Sequence, residues 1–257
     1  MKFSIITAVW NREATLGDAL DSLAGQGHQD YEHIVQDGGS TDGSLALLAS
    51  REDPRRRLAS ERDGGIYDAL NKALARCTGD VVGVLHSDDF FAHVDVLAHV
   101  EQRFRETGTD AVYGDLDYVS ASDPSRVIRH WKSGQYHPGL LQRGWMPPHP
   151  ALFLRREVIE TWGGYDTRYR IAADYDSILR YFGRGGISAA YLPEVLVKMR
   201  VGGESNRSLA RILRKSCEDY RALRENGVGG MVALAGKNFS KLPQFFGSAG
   251  RQEDIKG

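Results

Sequence analysis

The chain has 257 residues, 41% hydrophobic and 26% charged, which is the balance of a globular protein able to bury a full core. A net charge of -1 argues against bulk nucleic-acid binding, and no apolar run reaches the 18 or so residues of a bilayer span. Two distant cysteines, Cys77 and Cys217, fit a reducing compartment and exclude a cysteine zinc site. Charge is uneven along the chain: residues 203–257 hold ten Lys or Arg against six Asp or Glu, a basic tail on an otherwise acidic body.

The opening run Phe3 to Trp10 lacks a basic leader and a small-residue cleavage site, so it reads as a first strand and the protein as cytoplasmic. Strand-like Ile5 to Val9 precedes Leu16, Ala19, Leu20 and Leu23, the buried stripe of a helix. A strand at His33 to Gln36, a short helix holding Leu45, Leu47 and Leu48, and a strand near Leu58 to Glu61 follow. Next come a helix with stripe Ile66, Ala69, Leu70, Ala73 and Leu74, a strand through Val81, Val82, Val84 and Leu85, a helix with Val96, Val100 and Phe104, and a strand at Ala111 to Tyr113. Such β/α alternation predicts an α/β fold with a mainly parallel sheet between helices.

Beyond about Asp115 the rhythm loosens, and Pro147, Pro148 and Pro150 prevent a helix. A strand at Ala151 to Leu154, a short helix, a helix opened by Asp174 with Tyr175, Ile178, Leu179 and Phe182 on one face, and strands near Ile187 to Leu192 and Leu196 to Met199 complete this lobe. We divide the chain into a nucleotide-binding lobe (1–115), an acceptor lobe in the same compact domain (116–202) and a helical tail (203–257). In the tail, Ser205 to Asn226 is a helix with apolar stripe Leu209, Ile212, Leu213, Cys217 and Tyr220. Met231, Ala235, Phe239, Leu242 and Phe246 keep a rough helical spacing, with Lys237 and Lys241 on another face and Pro243 interrupting. This tail either packs on the body or a second subunit as a homodimer, or lies on an anionic membrane surface.

Carboxylates collect at element ends, where open α/β sheets bind ligands. Asp37 in QDGGSTDGS follows a strand and suits a nucleobase or ribose. Arg62 and Asp63 in SERDGGIYDALNKA precede a Gly pair that permits close approach to a ligand. Asp88 and Asp89 in GDVVGVLHSDD end the strand at Val84, and paired carboxylates there can hold a hard cation. Asp174, with Asp176 nearby, stands at a helix N-terminus whose dipole favours the ionised form. Each grouping alone also reads as a turn or a helix cap. The absence of GxGxxG after the first strand argues against a dinucleotide oxidoreductase.

Together and in order, TAVWN at 7–11, VQDGGSTDGS at 35–44, SERDGGIYDALNKA at 60–73, HSDD at 86–89 and GGYDTRYRIAADYD at 163–176 resemble a family 2 glycosyltransferase of the GT-A fold, over residues 3–200. The GGIYDALNK segment is like that of bacterial enzymes building exopolysaccharide, O-antigen or glycolipid sugars. The resemblance implies that Thr7 and Asp37 contact the nucleobase, Arg62 the base or phosphates, Asp63 the donor nucleotide and Asp88 the ribose or donor sugar. It implies that Asp89 ligates Mn²⁺ or Mg²⁺ and that Asp174 is the catalytic base. Ala173 replaces the Glu that usually precedes that Asp, which leaves Asp176 as a rival base. His149, Asp176, Trp131 and Trp145 are acceptor-contact candidates.

The activity implied is inverting, metal-dependent transfer of one sugar from a UDP- or GDP-linked donor to a glycan or lipid-linked acceptor. No QxxRW motif of processive relatives is present, and no nucleic-acid partner is expected. A sugar nucleotidyltransferase would want a GxGTR-like loop where Trp10-Asn11-Arg12 stands. A non-catalytic nucleotide-sugar-binding protein of the same fold is the remaining alternative.

Overall fold

The computed structural model describes residues 1–201 and 209–239. The first half alternates as expected: β1 (Phe3–Val9), α1 (Glu13–Ala24), β2 (Tyr31–Asp37), α2 (Ser44–Ser50), β3 (Arg56–Ser60), α3 (Ile66–Leu74), β4 (Val81–Val84), β5 (Asp89–Phe91) and α4 (Val96–Thr107). Then follow β6 (Ala111–Ser120), β7 (Val127–Trp131), β8 (Leu152–Arg155), α5 (Arg156–Trp162), α6 (Ala173–Ile178), β9 (Ala189–Val201), α7 (Leu209–Glu225) and α8 (Met231–Phe239). Short 3-10 turns occupy Pro138–Arg143 and His149–Ala151, where the prolines exclude a regular α-helix.

One sheet runs β3-β2-β1-β4-β8-β6-β9-β5, with β7 paired to β6. β3, β2, β1 and β4 are parallel, and β1 and β2 are buried along their whole length, as strands covered on both faces must be. Antiparallel pairing enters where β8 meets β4 and β6, and returns at β5 against β9, so the sheet is mixed beyond β4. The first and second lobes thus share one sheet. Leu16, Ala19, Leu20 and Leu23 of α1, and Val96, Val100 and Phe104 of α4, are buried as their spacing predicts. Ile66 is an exception, 47% exposed at the first position of α3.

Two strands escape the periodicity, the three-residue β5 and the edge strand β7. The two strands expected at 187–199 are a single one, β9, interrupted by a bulge. Its register against β6 jumps between the pairs Tyr113↔Tyr191 and Asp115↔Val195. Pro193, which lacks an N–H to give to the ladder, falls inside this bulge. Gly114 faces it, where a Cβ would come within 2.5 Å of the Leu196 side chain.

The described members of the expected tail stripes face outward. On α7, Asp219, Ala222 and Leu223 are buried, as is Asn226 just after it, whereas Leu213, Cys217 and Tyr220 of the expected stripe are exposed. On α8 the buried residues are Ala233 and Lys237, while Met231 is 67% exposed. Small residues explain the choice for α8. A Cβ on Gly236 would lie 2.2 Å from the Arg143 carbonyl and one on Gly144 2.3 Å from that of Ala233, so the helix approaches at backbone distance. Lys237 then meets buried Asp219, with Nζ donating to Oδ1 at 2.7 Å. The expected positions Ser205, Lys241, Leu242, Pro243 and Phe246 lie outside the described residues.

Candidate active site

Parallel register sets Val9, Asp37 and Ser60 side by side at the C-terminal ends of β1, β2 and β3. Asp37 is fully buried and organises the loop after β2: its Oδ2 accepts hydrogen bonds from the Gly39 and Ser40 amides, both at 3.0 Å, and from Ser60 Oγ at 2.6 Å. That loop lies against the one after β3. A Cβ on Gly38 would meet the Asp63 carboxylate at 2.6 Å, and one on Gly39, whose φ is +84°, would touch Arg62 Cγ at 3.4 Å. A side chain at 38 would displace the Asp63 carboxylate, and the backbone at 39 favours glycine. Asp63 accepts from the Gly65 amide at 2.8 Å, which leaves the Arg62 side chain exposed at the rim.

Thr7 is committed to the interior. It is fully buried, with its hydroxyl donating to the Leu85 carbonyl at 2.8 Å and 2.9 Å from His33 Nε2. The Thr7 side chain has no free edge for a nucleobase and instead supports β1 from within.

Just past β4, Asp88 and Asp89 enter β5. Asp89 is 1% exposed; its Oδ1 accepts from the Arg200 amide at 3.2 Å, while its Oδ2 is buried and makes no hydrogen bond among the described residues. Burial, reinforced by the Asp88 carboxylate beside it, pushes the Asp89 carboxyl well above the usual range. Arg200 clamps the turn by donating Nη1 to the Asp88 carbonyl at 2.9 Å and pairing with Asp18. An orphaned buried carboxylate oxygen next to a second carboxylate fits a divalent cation, which would satisfy the oxygen and reverse the repulsion.

Asp174 lies in the first turn of α6 at the centre of a polar cluster. His149 Nδ1 is 3.2 Å from its Oδ2, and the Tyr67 hydroxyl, which donates to the Ile171 carbonyl at 2.7 Å, lies 3.2 Å from its Oδ1. Burial alone would raise the Asp174 pKa. Its hydrogen bond and charge interaction with His149 outweigh that and hold the carboxyl well below the usual range, so it is ionised at neutral pH. The far side of His149 meets His86 of the HSDD run, Nε2 to Nε2 at 2.7 Å, so one proton lies between the rings. Burial, aided by His149, pushes His86 down to about 3, which keeps it neutral.

A second tie joins the same segments. Asn71 of α3 donates Nδ2 to the Tyr165 carbonyl at 2.7 Å and accepts from the Tyr165 amide at 2.8 Å. The GGIYDALNK and GGYD runs, 94 residues apart, are thereby locked together.

Asp176 does not join this cluster. It is buried at 5% exposure, and its two oxygens are taken by Arg180 at 3.0 Å and Asn226 at 2.8 Å, so it is neither placed as a base nor open to an acceptor. Trp145 is likewise committed, with its ring against Tyr113, Tyr136 and Phe182 and its Nε1 donating to the Ser133 carbonyl. Trp131 stacks on Tyr118 with ring planes 4° apart.

The tail supports α6 from behind. Glu218 of α7 accepts from the Ile171 and Ala172 amides at 2.8 and 3.0 Å, immediately before Asp174. Lys237 sits over the Tyr175 ring at 3.2 Å, and its burial lowers its pKa to about 7 against the pull of Asp219. Sequence reasoning assigned no role to His86, Tyr67, Asn71, Arg200 or Glu218. Three of them, Tyr67, Asn71 and His86, stood inside motifs already singled out, which was the available signal.

The model of the family described as Glycosyl transferase family 2 matches residues 4–162. A Mycobacterium bovis protein named PGL/p-HBAD biosynthesis glycosyltransferase is 34% identical over 209 residues, covering 79% of this chain and 79% of its own. Among solved structures, S. aureus TarS 1-349 in complex with UDP-GlcNAc superposes with a TM-score of 0.69 at 19% identity, covering 96% of this chain and 72% of that one. The mannosyltransferase PcManGT of Pyrobaculum calidifontis, in complex with GDP-Man and Mn2+, gives 0.65 at 19% identity over 94% and 70%. At such identity these two likenesses concern the fold, and it is the GT-A architecture expected from the motifs.

Proposed function

The chain belongs to glycosyl transferase family 2, and on that premise we propose that it moves one sugar, with inversion, from a UDP- or GDP-linked donor to a glycan or lipid-linked acceptor in cell-surface polysaccharide or glycolipid synthesis. The observation that carries this reading is the chain of contacts from Asp174 through His149 to His86, which ties an ionised carboxylate to the strand end bearing Asp88 and Asp89. The relatives support the donor class, since TarS is seen with UDP-GlcNAc and PcManGT with GDP-Man and Mn2+.

In this reading the loops of Asp37 and Arg62–Asp63 receive the nucleotide, and Asp88 the ribose or donor sugar. Asp89 holds Mn²⁺ or Mg²⁺, which when bound supplies positive charge against the departing diphosphate. Asp174 accepts the acceptor hydroxyl proton as that oxygen forms its bond to the anomeric carbon and the bond from that carbon to the diphosphate oxygen breaks. His149 holds the carboxylate ionised, and Tyr67 lies 3.2 Å from its Oδ1. General-base help of this kind contributes about 10²–10⁴ in rate.

Among the described residues no helix is long and apolar enough to cross a membrane. The outward stripe Leu213, Cys217 and Tyr220 on α7, near exposed Arg214, Arg221 and Arg224, supports contact of the tail with an anionic membrane surface, where a lipid-linked acceptor would reside. Flotation with anionic vesicles supports that use; a concentration-dependent dimer without flotation supports the homodimer instead.

The deciding experiment offers the full chain a panel of UDP- and GDP-sugars with Mn²⁺ or Mg²⁺ and candidate acceptors, following nucleoside diphosphate release and product anomericity. Metal-dependent release with an inverted product is expected, lost in Asp89→Ala. Metal-dependent binding of donor with no turnover under any acceptor would leave only a binding protein.

A further inference from the structure

At the opposite end of the β5/β9 pair from Asp89, three side chains converge that no step of sugar transfer uses. His93 lies in the turn between β5 and α4, His99 on the first turn of α4, and Glu194 in the β9 bulge beside Pro193. His93 Nε2 is 2.7 Å from Glu194 Oε1, and His99 Nδ1 is 3.0 Å from both Glu194 oxygens. All three ligand atoms lie within 4.8 Å of one another. The rings are 5.6 Å apart at their centroids.

We propose that His93, His99 and Glu194 form a site for a divalent transition ion of the Zn²⁺ class, which pins β9 to the turn leading into α4. Three features carry it. The first is the donor set: two imidazoles and one carboxylate suit Zn²⁺ or Co²⁺, whereas Mg²⁺ and Ca²⁺ prefer oxygen. The site therefore differs in kind from the all-oxygen pair Asp88 and Asp89, from which His93 is separated by on the order of 13 Å of extended chain.

The second is the state of His93 Nε2. It is shielded from solvent and, despite standing 2.7 Å from the carboxylate, makes no hydrogen bond of acceptable angle. Its approach to the carboxylate is that of a donor facing shared space. The third is the bulge. A regular β9 would keep Glu194 in the ladder with β6; the interruption at Pro193 releases it toward α4, and bulges commonly re-aim a side chain in this way.

Tetrahedral coordination with bonds near 2.1 Å sets donors about 3.4 Å apart. Loading thus asks Glu194 to retreat slightly and the two ring nitrogens, which start within 4.8 Å of each other, to close toward that spacing, within reach of partly exposed side chains. The proton balance is explicit. The ion takes the lone pairs of His93 Nε2 and His99 Nδ1 and one Glu194 oxygen. The remaining ring proton of His93 resides on Nδ1, which gives up the 3.2 Å hydrogen bond it accepts from the Asp95 amide, and that of His99 resides on Nε2. Solvent supplies the fourth ligand, since the three side chains are 33%, 43% and 29% exposed.

The test titrates the full chain with Zn²⁺ against a chromophoric chelator, in millimolar Mg²⁺ to occupy the oxygen site, and records the Co²⁺ absorption spectrum in parallel. One equivalent of Zn²⁺ at micromolar Kd or tighter, with a four-coordinate Co²⁺ spectrum, is expected. His99→Ala and Glu194→Gln should each weaken binding tenfold or more, and His93→Ala/His99→Ala should abolish it. Melting without metal verifies that these variants fold; should the double variant not fold, the two single variants decide. Undiminished Zn²⁺ binding in the folded variants, or wild-type binding weaker than about 100 µM, overturns the proposal.

Discussion

His149 Nδ1 lies 3.2 Å from Asp174 Oδ2 while the other ring nitrogen touches His86, so the carboxylate at the head of α6 is coupled to the strand end that carries Asp88 and Asp89. The contact holds the carboxyl well below its usual range against the upward push of burial. His149 thereby keeps Asp174 unprotonated and oriented at neutral pH, the state a general base needs.

His149→Ala should therefore lower kcat by about 10²-fold and leave the donor KM within threefold, since it acts on the proton step and not on nucleotide binding. Asp174→Asn should cost about 10³-fold or more. Asp176→Asn makes the contrast: it removes the charge facing Arg180, which keeps its bonds to the Trp162, Gly163 and Gly164 carbonyls, while Asn226 keeps its bond to the Ala222 carbonyl, so it should destabilise the fold by about 1–3 kcal/mol, with kcat per folded molecule retained. Initial rates of nucleotide release, corrected for folded fraction by thermal melts, separate the three. Equal kcat losses in Asp174→Asn and Asp176→Asn would remove the distinction between them.

Asn71 carries two hydrogen bonds to one residue, Tyr165, which lies far away in sequence. Its replacement by Ala strands both Tyr165 backbone groups, at a cost of about 2–3 kcal/mol, and should lower Tm by roughly 5–10 °C. Asn71→Asp keeps the acceptor but loses the donor and should fall between the two. A melt for Asn71→Ala within 1–2 °C of the wild type would show that water replaces the clamp.

The order of motifs and the parallel half of the sheet were legible because buried parallel strands and amphipathic helices write their periods directly into β1 to β4 and α1 to α4. Other features depended on information that a period does not hold. β5 is three residues long, and β9 was read as two strands because Pro193 interrupts its alternation. On α7 and α8 the described members of the apolar stripes face outward: helical period reports where apolar residues are, whereas contact here is decided by glycines at 144 and 236 and by the Lys237–Asp219 pair. In the site, Asp37, Asp89 and Asp174 stand at element ends as their patterns required. The partners of Thr7 and Asp176 were not legible, because a side chain's direction is set by tertiary contacts, with His33 and Leu85 for one and Arg180 and Asn226 for the other.

Glu32 should dominate part of the acid limb of stability. Burial would raise its pKa, but hydrogen bonds from Ser4 and Thr78, joined by Lys2, bring it from 4.5 to about 2. The folded-state value lies below the unfolded one, so its contribution is complete above about pH 4.5 and is lost as pH falls toward 2. The difference corresponds to roughly 3 kcal/mol. Denaturant midpoints of Glu32→Gln should be lower than wild type at pH 7 and converge with it by about pH 2 to 3. Parallel curves across that window would show that Glu32 does not titrate as its partners require.

Glu218 links the tail to the chemistry through backbone alone, accepting the Ile171 and Ala172 amides that lead into α6. It does not touch Asp174, so its effect is on position: without it the turn preceding the base loses two acceptors, and Tyr67, which holds the same segment through the Ile171 carbonyl, is left as the main restraint. Glu218→Ala should lower kcat by about tenfold with donor KM unchanged, whereas Glu218→Gln, which keeps an acceptor oxygen, should recover most of the loss. A merely structural role predicts a fall in Tm with both kinetic constants intact per folded molecule. Tyr67→Phe combined with Glu218→Ala should lose more than the product of the single effects, because both hold the Ile171–Ala172 segment and neither loss alone frees it.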